Sequence, residues 1–249
     1  MRILVTSGGT KIPIDRVRDI TNMSKGTFGS KIATEFLNLG HEVIFMKAKG
    51  SKTPMTLHMD MYNLLKNRAD VNVLMEKMTQ FTEFFSKNVD RYQEYEYTTF
   101  DQYAEMLKFV IGVERPDLVL LAAAVSDYGV ENYFEGKIRS NDMFNIKLKQ
   151  LPKLISRVDE WLCDAGKDHA KLVGFKLLVN SKENELIDAA KRSLSDNGCE
   201  MVVANDLQEI KDDNHKIHLV FTDKVLHYKT DHNDPNFLAK MVVKHCLEL

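Results

Sequence analysis

A chain of 249 residues, 44% of them hydrophobic, has apolar material for one large α/β domain or two small ones. Its 34 basic and 36 acidic residues nearly cancel to a formal charge of -2, which argues against a protein that coats nucleic acid or another polyanion. The three cysteines, Cys163, Cys199 and Cys246, show neither a CxxC nor a Cys/His metal spacing and read as buried, reduced thiols of a cytoplasmic protein.

In chain order, Ile3 to Thr6 reads as a buried strand, Gly29 to Leu39 as a helix ended by Gly40, and His41 to Lys47 as a second strand. Residues 55–95 are rich in Met, Phe and Tyr and lack clear strand signals, so one or two inserted helices are expected there, forming a lid or a partner surface. Asp101 to Gly112 places Tyr103, Met106, Leu107 and Val110 on one helical face. Pro116-Asp117 then leads into the apolar run that starts at Leu118, a central parallel strand buried on both sides. Residues 128–152 are polar and loop-like, with one alternating strand at Asn145 to Leu148. Lys171 to Phe175, Met201 to Ala204 and His218 to Phe221 are further strands, and Leu186 to Leu194 and Pro235 to Leu247 are helices. This alternation predicts an α/β fold, a Rossmann-like and mostly parallel sheet with helices on both faces, in a single domain over residues 1–249. The longest apolar run, Leu118 to Val125, falls far short of the ~18 residues a membrane helix needs, and Met1-Arg2 leads directly into a strand with no signal-peptide pattern. Neither a membrane nor a nucleic-acid partner is expected.

The first strand is followed by two glycine segments, where a dinucleotide-binding chain has one continuous Gly-x-Gly-x-x-Gly. Ser7-Gly8-Gly9-Thr10 comes first, and Ser24-Lys25-Gly26-Thr27-Phe28-Gly29 opens the helix. Gly8, Gly9, Ser24, Gly26, Thr27 and Gly29 fit a phosphate cradle, because free helix N-terminal amides favour anions; alternatively the glycines only make turns. The second strand ends Phe45-Met46-Lys47 without the acid that holds an NAD ribose, which favours a nucleoside triphosphate. Between the two segments, Asp15, Arg18 and Asn22 follow a three- to four-residue spacing that a short helical turn would align. Arg18 would then bind a carboxylate or phosphate and Asn22 a small substrate, or Asp15 and Arg18 make a local ion pair and Asn22 caps a turn.

These residues resemble phosphopantothenoylcysteine synthetase, the phosphopantothenate–cysteine ligase family of coenzyme A biosynthesis. The family segment D-x-V-R-x-I-x-N-x-S-x-G-x-x-G is present from Asp15 to Gly29, and A-A-V-S-D-Y from Ala123 to Tyr128. Lys137-Ile138-Arg139 matches the K-I-[KR] loop, and Gly174-Phe175 followed by Ala204-Asn205-Asp206 matches the last motif. The chain departs from many members in reading Lys176-Leu177-Leu178-Val179 after Gly174-Phe175, and Leu151-Pro152-Lys153 where Asn-Pro-Asp is common. The fused flavin decarboxylase of many members is absent, which resembles the stand-alone form. The resemblance implies that 4′-phosphopantothenate is activated by a nucleoside triphosphate with Mg²⁺ (CTP for the compact form, otherwise ATP) to an acyl-nucleotidylate. L-cysteine then forms the amide. It further implies that Asn22 and Arg18 hold the phosphopantothenoyl group and that Lys137 stabilises charge at the α-phosphate. Ala123, Ala124, Asp127, Phe175 and Asn205 join the glycine segments in binding nucleotide, with Asp206 beside them and no protein residue expected as a metal ligand. A homodimer is implied, for which residues 207–230 would supply a projecting strand pair. Two other classes share the same sequence cues: a Rossmann-type NAD(P)-dependent oxidoreductase and a nucleotide-sensing regulator.

Overall fold

Strand segments in which nearly every side chain is apolar can be buried only between two layers, and that is the arrangement found. The computed structural model describes residues 1–56, 71–139, 144–211 and 215–249. Eight strands form the central sheet in the spatial order Val225–Lys229 (β12), Lys216–Val220 (β11), Met201–Asp206 (β10), Lys171–Leu178 (β9), Leu118–Leu121 (β6), Arg2–Ser7 (β1), Glu42–Ala48 (β4) and Tyr92–Tyr97 (β5). From β10 to β5 the strands are parallel, and β11 and β12 continue the sheet as an antiparallel hairpin.

The helices are Thr27–Asn38 (α1), Val71–Asn88 (α2), Phe100–Glu114 (α3), Val158–Asp164 (α4), Glu183–Asn197 (α5), Leu207–Lys211 (α6) and Phe237–Cys246 (α7). Successive strand residues alternate between the two faces. Leu4, Ile44, Met46 and Val119 meet Leu107 of α3, Trp161 of α4 and Leu186 of α5. Ile3, Val5, Phe45 and Leu120 meet Ile32 and Phe36 of α1 and Val242 of α7. At about 1.5–3 kcal/mol for each large side chain buried, these two layers dominate the stability and fix the sheet's orientation. The chain builds outward from β1 through β4 to β5, then returns to β6 on the other side of β1. That reversal opens a crevice above the carboxyl ends of β1 and β6, the usual ligand site of such sheets.

Several expectations are corrected. Residues 92–97, expected in the helical insertion, form edge strand β5. Its Tyr-Gln-Glu-Tyr-Glu-Tyr alternation has acidic side chains where a sheet edge meets water, and Glu94 and Glu96 hold the buried Lys47 at 3.4 and 2.9 Å. Burial works against the Lys47 ammonium, but Glu96 and Glu94 keep its pKa above the usual lysine value. Residues 71–88 do form the expected helix α2, on which only Asn88 is buried, whereas residues 57–70 of the expected insertion lie outside the described residues. The strand expected at Asn145 to Leu148 begins at its last residue: Leu148–Gln150 (β8) pairs with Tyr128–Val130 (β7). The strand pair expected to project from residues 207–230 is the β11–β12 hairpin, which adds to the main sheet instead. Of the three cysteines, Cys163 is exposed.

Candidate functional site

The segment between the glycine loops folds as a hairpin arm, Lys11–Pro13 (β2) against Asp19–Thr21 (β3), and not as the expected helical turn. Ile12 and Ile20 pair across it, Pro13 suits an edge strand, and the tip is closed by the Asp15 carboxylate, which accepts from Val17 N at 2.8 Å and Arg18 N at 2.7 Å. The arm stands at the carboxyl end of β1, tied to the loop after β5 by Lys11 N donating to Thr98 O at 2.9 Å.

At its base the two glycine segments close around Ser7. The Ser7 hydroxyl donates to Gly26 O at 3.0 Å, and a Cβ on Gly29 would lie 2.5 Å from Ser7 Oγ. Gly8 has φ +88, and a Cβ there would lie 2.1 Å from Ser51 Oγ; on Gly9 it would lie 2.8 Å from Asn22 O. A side chain at any of these positions would force the loops apart. Gly26, at φ 72, is the N-cap of α1, with no side-chain cap and no acid in the first turn. The Thr27, Phe28 and Gly29 amides therefore point out of the helix without intrahelical acceptors, at the positive end of its dipole. Ser24 Oγ accepts from Gly26 N at 3.4 Å.

Beyond β6 the chain continues alongside the first glycine loop. Ala124 N donates to Gly8 O at 2.7 Å, and Ala123 N to Thr6 Oγ1 at 3.2 Å. Asn22, exposed just past β3, donates Nδ2 to Ala124 O at 2.9 Å. Gly8, Gly9, Asn22, Ala123 and Ala124 thus meet in one place, at the switch between β1 and β6.

Arg18 and Asp15 make the local ion pair, at 2.8 Å. Together they also grip the segment that carries Lys137. Ile138 N donates to Asp15 Oδ2 at 3.1 Å, and Arg18 donates to Ile138 O at 3.3 Å. Arg16 N donates to Gly136 O at 2.9 Å, and Phe134 N to Ile14 O at 3.0 Å. Burial would raise the pKa of the Asp15 carboxyl, but the backbone amides of Ile138, Val17 and Arg18 and the Arg18 guanidinium hold it below the usual carboxylate value. Ile138 is buried under the arm while Lys137 is exposed and has no ion-pair partner among the described residues. A single ammonium is presented on a clamped loop.

A third group lies where β9 and β10 approach α1. Phe28 meets Phe175 edge-on at 6.3 Å and His215 at 5.5 Å, and Asn205 Nδ2 is 3.5 Å from a ring nitrogen of His215. Burial, with Lys31 nearby, holds the His215 pKa below its usual value. Phe175 and Asn205 therefore come together around two residues, Phe28 and His215, that the sequence reading passed over. Phe28 was legible as an aromatic inside the glycine loop, whereas a lone His after a polar stretch carries no signal. Asp127 is exposed and ion-paired with Lys153, and joins the crevice only indirectly, through Ser126 N donating to Thr10 Oγ1 at 3.0 Å. Asp206 is occupied within the protein, accepting from Asn180, Ser181 and Gln208.

The model of the DNA/pantothenate metabolism flavoprotein C-terminal domain matches residues 1–82 and 86–249. The chain belongs to this family. It is 31% identical over 222 residues to a coenzyme A biosynthesis bifunctional protein CoaBC of Thermococcus kodakarensis, covering 89% of this chain and 45% of that protein. It is 30% identical to phosphopantothenate–cysteine ligase 2 of Oryza sativa subsp. japonica, covering 84% of this chain and 69% of that protein. The chain thus spans about half the length of the bifunctional relatives and about two thirds of the plant ligase. Among solved structures, a DNA/pantothenate metabolism flavoprotein from Streptococcus pneumoniae superposes with a TM-score of 0.75 at 27% identity, over 100% of this chain and 99% of that one. A Cab2 mutant in complex with phosphopantothenate-cysteine gives a TM-score of 0.82 over 99% of this chain and 85% of that one; at 24% identity it speaks to the fold alone. The fold expected from the sequence and the resemblance to phosphopantothenoylcysteine synthetase are both borne out. Among the described residues no helix is long and apolar enough to cross a membrane.

Proposed function

We propose that the chain is a phosphopantothenate–cysteine ligase of coenzyme A biosynthesis, a C–N bond-forming enzyme that works through an acyl-nucleotidylate. The observation that carries this reading is the docking of Asn22 onto Ala124 beside the uncapped end of α1. An amide able to hold an acyl group and a cradle able to hold phosphates share one crevice.

In the first step a carboxylate oxygen of 4′-phosphopantothenate attacks the α-phosphorus of the nucleotide, and the bond to pyrophosphate breaks. In the second, the amine of L-cysteine attacks the acyl carbon. The nucleoside monophosphate leaves with the bridging oxygen, and the amine proton passes to solvent. Joining two anions is slow unless cations and oriented dipoles are already in place. The free amides at Thr27, Phe28 and Gly29, with Ser24, Gly8 and Gly9 around them, take the departing phosphates. Lys137 neutralises charge at the α-phosphorus. Asn22 holds the acyl group, and Arg18 positions the Lys137 loop while offering its exposed face to the substrate carboxylate. Phe28, Phe175, His215 and Asn205 hold the base and ribose, with Asp127 as a further acceptor for the nucleotide. Mg²⁺ enters as part of the triphosphate substrate: Asp206 is engaged and Asp127 paired, so phosphate oxygens and water supply most of its ligands. CTP is taken as the nucleotide, ahead of ATP, from the resemblance to the compact stand-alone form.

Pyrophosphate release tests the reading. Incubated with phosphopantothenate, L-cysteine and Mg²⁺, the protein should release pyrophosphate faster from CTP than from ATP, and only when phosphopantothenate is present. No pyrophosphate from either nucleotide would exclude a ligase and leave a nucleotide-sensing role.

A further inference from the structure

We propose that Glu183, His218 and His227 form a binding site for a borderline divalent metal ion of the Zn²⁺ type, apart from the ligase crevice. His218 of β11 and His227 of β12 are directly paired across the antiparallel hairpin. Their rings stand at 89° with centroids 4.8 Å apart, and their Nδ1 atoms face each other at 2.6 Å. Glu183, the first residue of α5, brings Oε1 to 3.8 Å from His227 Nδ1. One ligand atom from each of the three lies within 4.8 Å of the other two.

The donor set decides which cation fits. Two imidazoles with one carboxylate suit Zn²⁺ and its first-row neighbours, whereas Mg²⁺ and Ca²⁺ want oxygen ligands. At Zn–N distances of about 2.0–2.1 Å and a tetrahedral angle, two ligand nitrogens sit about 3.3 Å apart, so the rings would part by about 0.7 Å. A hairpin at the sheet edge can supply that movement. His218 is buried, whereas His227 and Glu183 are about half exposed, which leaves room for water as a fourth ligand. Lys216 contacts the other carboxylate oxygen, Oε2, so its ammonium opposes the incoming cation but leaves Oε1 free to bind it. Without metal, a single proton can bridge the two Nδ1 atoms, and the ion would take that proton's place. Bound metal would fasten the edge hairpin to the start of α5.

Metal-stripped full-length protein, titrated with ZnCl₂ alone, should show one saturable site by calorimetry. At about 100 times Kd, Zn²⁺ should raise the melting temperature by roughly 5 °C or more, reversed by EDTA. His227→Ala and Glu183→Gln lie on the exposed side of the cluster, and each should weaken binding at least tenfold. Cys163→Ser, which removes the exposed thiol, should leave it unchanged. Absence of saturable binding, or binding that survives His227→Ala at full strength, would overturn the proposal and leave the cluster a hydrogen-bonded polar link.

Discussion

Asn22 and Lys137 belong to different steps of the proposed reaction: one is anchored to the sheet edge through its amide, and the other extends from a clamped loop with no ion-pair partner among the described residues. Asn22→Asp turns a donor facing Ala124 O into a negative oxygen that repels it. The first step depends on cations elsewhere and survives, so this variant should accumulate the acyl-nucleotidylate while amide formation falls about 10²- to 10³-fold. Lys137→Gln removes charge at the phosphorus and should lower pyrophosphate release by a similar factor, with no acyl-nucleotidylate detected. Rapid quench and mass spectrometry distinguish the two, and accumulation of the same species in both variants would break this division of labour. Arg18 differs from either, since its guanidinium is largely engaged by Asp15 and Ile138.

Among the elements, the β2–β3 arm links the glycine crevice to the Lys137 loop, and Asp15 is its fastening. The folded pKa of Asp15 lies below the unfolded value. Its contribution to stability is therefore complete above the unfolded pKa of about 4, and is lost as pH falls through that value towards the folded one. Asp15→Asn should melt lower at pH 7 and lose less melting temperature on acidification than the unaltered chain. A variant with the same acid slope would show that Asp15 is not the fastening; Asp117, Glu160, Glu183, Asp206 and Asp234, also depressed, contribute to the slope that remains. α1, α3 and strands β1, β4, β6, β9 and β10 follow from runs of apolar residues with a clear period, because local burial dictates them. The hairpin, by contrast, rests on contacts between residues more than a hundred positions apart, such as Asp15 with Ile138. β5 was missed because its alternation is of Tyr with Glu and Gln at a sheet edge, and α4 because so short a helix shows little of its period. The motif residues were legible; the meeting of Phe28 with His215 was not, since nothing local links them.

Over the whole molecule, the reversal of strand order at β1 and β6 brings the separate motifs to one edge of one sheet. The β7–β8 hairpin carries exposed Tyr128 and Leu148, with Tyr133, Phe134, Phe144 and Ile146 exposed in the adjoining segments; were the expected homodimer to form, this is an apolar surface it would cover. Light scattering should give twice the chain mass, and a monomer at micromolar concentration would refute it. In the proposed reaction the phosphopantothenate carboxylate is activated as an acyl-nucleotidylate in the crevice between the glycine loops and the Lys137 loop. Phosphopantothenate labelled with ¹⁸O in its carboxylate tests it most directly. After turnover with CTP and L-cysteine, mass spectrometry should find one ¹⁸O atom in CMP for each amide formed. Label in inorganic phosphate or pyrophosphate, or none in CMP, would contradict it.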